Sequence, residues 1–348
     1  MMGCITEKTN KRNISDDSGF SEHRMKSYIS KIRELTNKPI LKSLLLKDRK
    51  KWNLMCGSLD AIESAQLAID SYRSLDEHNI KDVGQHLVIY GFFQALYVQQ
   101  DSVTHLCESV GIRLPDMRTH FPELYEIRQL RNKAIGHPSK QGATNNTHSM
   151  LIEKDSIELF SYTEGGEFSF KEYNVSECID KQEKALCGFM QQVIERMKSL
   201  EKEHKSKYMQ NRFRDCFPPD AQYCIGKVFE AINLIEDQIP EETTPQRIGR
   251  EGGISLALSH TKTLIDAVDR FYKEITERGL RDGDVVFIHL GIDRAKYPLE
   301  KLKEYFSPGS KSYINSQDAR AYADSAREHI LELVRHAEHL DNEYASTA

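Results

Sequence analysis

Arg131 and His137 close one amphipathic stretch, FPELYEIRQLRNKAIGHPSK (residues 121–140), and they are the side chains best suited here to hold a phosphate and move a proton. A guanidinium stays charged at any working pH and offers a planar fork of donors that matches a phosphate. An imidazole exchanges its proton near pH about 6.5, so it can act as acid or base at neutrality. Asn132, next to the arginine, adds a neutral amide that could orient either group or a nucleotide. Phe121, Leu124, Ile127, Leu130 and Ala134 recur at helical spacing and place Arg131 on or beside their apolar face. Gly136 can close this helix, His137 leaves it, and Pro138 prevents it from resuming. In an unbroken helix Arg131 and His137 would lie about 120° apart around the axis. Termination frees the histidine from that restriction, and the C-terminal dipole would favour its charged form by a few tenths to about 2 kcal/mol. A plainer reading stands beside this one: the arginine pairs with a carboxylate and the histidine caps carbonyls. Asp101, Glu123 and Glu126 are the carboxylates that could orient the pair, or could simply solvate their helices.

The elements that must position these groups are helical. Periodic apolar residues predict helices over 22–35, 40–46, 51–75, about 81–110, 121–136 and 176–203. The 81–110 helix has extra apolar width around Tyr90–Tyr97, which makes it a candidate dimer seam. Two runs, Met150–Tyr162 and Glu167–Tyr173, flank Thr163-Glu164-Gly165-Gly166 and predict a β-hairpin. Beyond Phe217-Pro218-Pro219, where Asp220 could cap a helix, further helices are expected over 221–236, 254–276, 298–306 and 316–340. The segment DVVFIHL (284–290) fits either a short buried strand or a helix. The expected organisation is therefore a disordered terminus over 1–20, a helical domain over 21–207 with a hairpin inserted, and a helical accessory domain over 216–345. The fold class is mainly α.

Composition agrees with that class. The 348 residues include only 19 glycines and 10 prolines, which suits long helices with solvated faces. A net charge of -5 argues against indiscriminate coating of nucleic acid but leaves room for a small phosphate-directed site. Seven irregularly spaced cysteines without a CxxC pair point to free thiols in a reducing cytoplasm. The start MMGCITEKTNKRN lacks the apolar core of a signal peptide. The most apolar run, Ile89–Val98, is about half the length a bilayer needs. No membrane association is expected.

LRNKAIGHP (130–138) resembles the arginine–polar–histidine motif of the HEPN superfamily, and the resemblance extends over residues 50–205 as two long helices, the motif helix, a hairpin and a closing helix. It implies a helical bundle that forms a homodimer and brings two motifs into one cleft. It also implies a metal-independent endoribonuclease with no cofactor. Arg131 would hold the scissile phosphate, Asn132 would fill the polar position, and His137 would transfer protons. RNA would be cleaved by attack of a 2′-hydroxyl on the adjacent phosphate. The same resemblance implies toxin-like work in stress or antiviral defence, with a regulatory protein as a possible partner. Some members of the superfamily are noncatalytic nucleotide-binding or protein-interaction modules, which is the alternative reading.

Two further clusters invite weaker readings. Arg196, Lys198, Lys202, Lys205, Lys207, Arg212 and Arg214 could guide an RNA backbone, although a solvated helix and interdomain linker is the simpler account. His336 and His339 share a helix face but lack the further ligands a zinc ion would need. No phosphate-binding glycine loop or nucleophile elbow is present.

Overall fold

The computed structural model describes residues 24–75, 84–136, 146–153, 156–236, 249–280, 286–307, 309 and 313–346. The expected disordered terminus over 1–20 lies outside them. The described chain is mainly helical, with one small antiparallel sheet. No helix among the described residues is long and apolar enough to cross a membrane. The residues pack into two compact units, one formed by 24–34 with 50–196 and the other by 35–49 with 197–346. Segment 35–49, which the sequence reading placed in the N-terminal domain, thus belongs to the second unit.

The first unit contains most of α1 (Arg24–Asn37), then α3 (Arg49–Ser74), α4 (Gln85–Ser109), a single turn α5 (Met117–His120) and α6 (Pro122–Arg131). Helix α2 (Pro39–Leu46) lies in the other unit. The start of α6 is set by proline, whose missing N–H costs nothing in a first helical turn. Its end runs on into a π-helical turn, Asn132–Gly136. Strands β1 (Thr147–Ile152), β2 (Ser156–Tyr162) and β3 (Phe168–Asn174) follow in spatial order β1-β2-β3. Helix α7 (Val175–Tyr208) starts directly after β3, with the Asn174 side chain accepting from the Glu177 N–H at 2.9 Å. Helices α3, α4, α6 and α7 bury Ile69, Phe93, Leu96, Leu130 and Ile179 together with Ile157 and Leu159 of β2. A buried chain of amides crosses this core. Gln99 donates to Gln66 at 2.7 Å, Gln182 donates to Gln99 at 2.8 Å, and Gln100 donates to Gln182 at 2.7 Å. Buried amides need partners, and these bonds supply them across α3, α4 and α7, leaving Gln100 Oε1 without one among the described residues.

The expected hairpin forms between β2 and β3, and a further strand, β1, precedes it. The run Met150–Tyr162 is two strands, closed by the Glu153 N–H donating to the Ser156 carbonyl at 2.9 Å. The polar residues after Ile152 interrupt the alternation in the sequence. Thr163-Glu164-Gly165-Gly166 forms the other turn, with Gly166 at φ 81°, a conformation open to glycine.

The second unit joins α2 and the end of α7 to α8 (Ala221–Glu236), α9 (Arg250–Glu277), α10 (Val286–Phe306) and α11 (Ser316–Ala345). Asp220 caps α8 through the Tyr223 N–H at 2.7 Å. Asn315 caps α11 in a capping box with Asp318. Val286–Leu290 proves helical and continues without a break through Pro298. Ile288, Ile292, Ala295, Leu299, Leu302 and Phe306 are all buried, at intervals of four, three, four, three and four. That seam outweighs the hydrogen bond a proline removes from a helix interior.

Candidate functional site

Arg131 is the last residue of α6, and the π turn that follows folds its neighbour back toward it. Its Nη1 donates to Asn132 Oδ1 at 3.0 Å, and its Nη2 donates to Gln94 Oε1 on α4 at 2.9 Å. The guanidinium also lies over the Tyr97 ring, 4.7 Å from its centroid. The Nε is buried and has no hydrogen-bond partner among the described residues. All these partners are neutral. Among the described residues Arg131 makes no ion pair with a carboxylate.

The carboxylates that could have paired with it are engaged elsewhere or point to water. Asp101 accepts from Arg128, one helical turn before Arg131, and Glu126 pairs with Lys171 on β3. Glu123 is exposed in the first turn of α6. Arg128 also lies over Tyr97, 4.3 Å from the centroid. Burial lowers its guanidinium pKa, but Asp101 and Tyr97 outweigh this and leave it raised. Two arginines thus share one aromatic ring, and only the first has its charge met.

Gly136 does not serve as a left-handed cap. Among the described residues the glycines with positive φ are Gly84, Gly111, Gly166, Gly279 and Gly309. Its value is spatial, because a Cβ there would come within 3.3 Å of Arg131 Nη1. The π turn and the missing side chain together let the guanidinium bend back over its own helix end, and π turns often mark such sites. His137 lies outside the described residues. The site therefore unites Arg131 and Asn132 of the expected trio and adds two groups that the sequence reading missed.

Those two are Gln94 and Tyr97. They sit three apart on α4, inside the broad apolar stretch around Tyr90–Tyr97. Gln94 is itself exposed, so neither burial nor spacing in the sequence singled it out. Gln100, one turn further, donates to the Leu124 carbonyl at 3.3 Å and so holds α6 against α4. On β1, His148 is almost wholly buried, with Nδ1 2.9 Å from Ser161 Oγ. Burial, with Lys133 of the π turn assisting, pushes its pKa down and keeps the imidazole neutral at pH 7.

Three cations of the basic interval 196–214 are engaged within the fold. Lys205 is buried and pairs with Glu201 at 2.8 Å while donating to the Ser346 carbonyl at 3.0 Å. Arg212 faces Asp341, and Arg214 faces Glu338 and the Pro218 and Pro219 carbonyls. His336 lies 3.8 Å from Glu332, which also approaches His329. Among the described residues no group of three or more His, Cys, Asp or Glu side chains could hold a metal ion.

Comparison with known proteins adds no relative. Neither a family model, nor a curated protein, nor a solved structure matches the chain.

Proposed function

We propose that the chain is a metal-independent endoribonuclease, with Arg131 as the phosphate anchor, Asn132 as its orienting amide and His137 as the proton-transfer group. The observation that carries this reading is the uncompensated charge of Arg131. A guanidinium held by two neutral amides and a ring, with a buried Nε left over, keeps its attraction for an anion. A phosphodiester brings that anion, and the 2′-hydroxyl of the same nucleotide brings the nucleophile. The 2′-oxygen would bond to phosphorus as its proton passes to a base, and the P–O5′ bond would break as the leaving oxygen gains a proton. The products are a 2′,3′-cyclic phosphate and a free 5′-hydroxyl. A second copy of the chain would supply a second His137, so one imidazole could act as base and the other as acid.

One observation favours a second reading, a noncatalytic nucleotide-binding or protein-interaction module. Both terminal nitrogens of Arg131 already donate, so a bound phosphate must share or displace Asn132 or Gln94. End-labelled single-stranded RNA and transfer RNA, incubated with chelator and no added metal, separate the two. The nuclease reading expects cyclic-phosphate ends and a loss of about 10²- to 10⁴-fold in His137→Ala with the thermal midpoint unchanged. Equal cleavage by a pure His137→Ala preparation would remove the histidine from its role. RNA binding that needs Arg131, without any cleavage, would establish the module.

A further inference from the structure

The two faces of the sheet differ sharply. Ile157 and Leu159 turn inward to the core, with Met150 and Tyr173 packed beside them. The opposite face carries Leu151, Glu158 and Glu172 on one rung, then Ser149, Phe160 and Phe170, then Thr147, Tyr162 and Phe168. The aromatic rings touch one another: Phe160 and Phe170 at 5.3 Å between centroids, Tyr162 and Phe168 at 5.4 Å, and Phe160 and Phe168 at 6.1 Å. Phe168 is 57% exposed, Phe170 50% and Tyr162 46%. A contiguous aromatic patch of this kind marks an interaction surface more often than a scattered apolar residue does.

Two features define what would cover it. Glu158 and Glu172 stand directly opposite each other in the ladder, an arrangement that costs stability unless a cation meets both. Among the described residues neither has an ion-pair partner. Strand β3 is also an edge: within the sheet it pairs only with β2. Its residues are exposed along nearly their whole length. An open edge accepts another strand. Two copies stacked face to face would bring four carboxylates together, and a nucleic-acid backbone would meet the same repulsion.

From these features we infer that this face docks a basic, extended segment of a partner protein, added as a fourth strand along β3. Run antiparallel to β3, such a segment would place a lysine or arginine opposite Glu172 and apolar side chains opposite Phe170 and Phe168. Its alternating pattern would read basic–x–apolar–x–apolar. The cation would sit beside Glu172, with Glu158 one strand further along the same rung and Phe170 on the next, where ion pairing and cation–π attraction combine. This surface is separate from the Arg131 site and does not depend on the nuclease reading.

The test uses the full chain and a fluorescein-labelled peptide, Thr-Lys-Thr-Val-Thr-Val-Thr, against a counterpart with Glu for Lys, followed by anisotropy at low and high salt. The lysine peptide should bind, should weaken with salt, and should protect the amides of residues 168–174 from hydrogen exchange. The glutamate peptide should not bind. Glu158→Gln with Glu172→Gln, and separately Phe168→Ser with Phe170→Ser, should each weaken binding about tenfold or more while the circular dichroism stays unchanged. Failure of the lysine peptide to bind would overturn the inference, as would equal binding of both peptides or full affinity in the glutamine pair. A change of oligomeric state in the serine pair would name a second copy of the chain as the occupant and would also overturn it. Competition by oligouridylate for the peptide would count against it in the same way.

Discussion

Arg131 and Arg278 are both arginines at the end of a helix, and the molecule treats them in opposite ways. Arg278 closes α9 in the second unit with its side chain wholly buried. Its Nε and Nη2 reach Glu274 at 3.1 and 3.0 Å, and Nη2 also donates to the Asn211 carbonyl at 2.6 Å. The rings of Phe213, Tyr344 and Tyr208 surround it, with centroids 3.8, 5.1 and 5.3 Å away. Arg131 in the first unit is only half-buried and has amides where Arg278 has a carboxylate. A charge that is neutralised and caged belongs to the fold. A charge that is held in place but left unmet is available to a ligand, and the second unit shows that this protein can neutralise an arginine when structure requires it.

Breaking the first half of that comparison should give the largest effect. Arg278→Leu leaves the Glu274 carboxylate without its cation and a poorly filled space among three rings, so the second unit should lose about 3 kcal/mol. Urea unfolding should show this as a lower midpoint at unchanged slope. A shift near zero would mean the cage is ornamental.

A smaller effect, on the order of 1 kcal/mol, should come from His204, beside the same cluster. Its Nε2 lies 2.7 Å from the Tyr344 hydroxyl, and its ring neighbours Tyr208. Burial, with the positive charges of Lys47, Arg278 and Lys207, depresses its pKa to about 4. The unfolded chain takes up this proton near pH 6.5 and the folded chain resists it, so between those values the unfolded state holds more protons. Stability should therefore be full above pH about 6.5 and fall as pH drops toward 4. Thermal unfolding of wild type and His204→Gln across that window should show a flatter profile in the variant. Parallel profiles would place the pH sensitivity elsewhere.

The smallest effect tests the other half of the comparison. Arg131→Leu removes no ion pair, so stability should move by less than about 1 kcal/mol. A loss as large as that of Arg278→Leu would make Arg131 structural and would erase the contrast.

Much of the helical architecture could be read from apolar spacing, because long amphipathic stripes such as that of α7 leave few alternatives. The sheet and α10 were harder for local reasons. The run Met150–Tyr162 alternates well enough to pass for one strand, and only the polar residues after Ile152 betray the return. Pro298 signals a helix start when read locally, and its tolerance in mid-helix depends on the buried seam from Ile288 to Phe306. At the site, Arg131 and Asn132 stood out by residue type and position. Gln94 and Tyr97 did not, since their role exists only once α4 lies against α6, and no linear spacing encodes that approach. Gly136 was visible as a helix-end residue, but its use as space for a guanidinium is a three-dimensional fact.

The most direct test of the central claim watches the two guanidiniums at once. Nitrogen-15 NMR of the arginine Nε–Hε signals, assigned through Arg131→Lys and Arg278→Lys, would be followed while inorganic phosphate and then uridine 3′-monophosphate are titrated in. The Arg131 signal should shift with saturation and the Arg278 signal should stay fixed. A fixed Arg131 signal, or equal drift of both, would contradict an anion site at the end of α6.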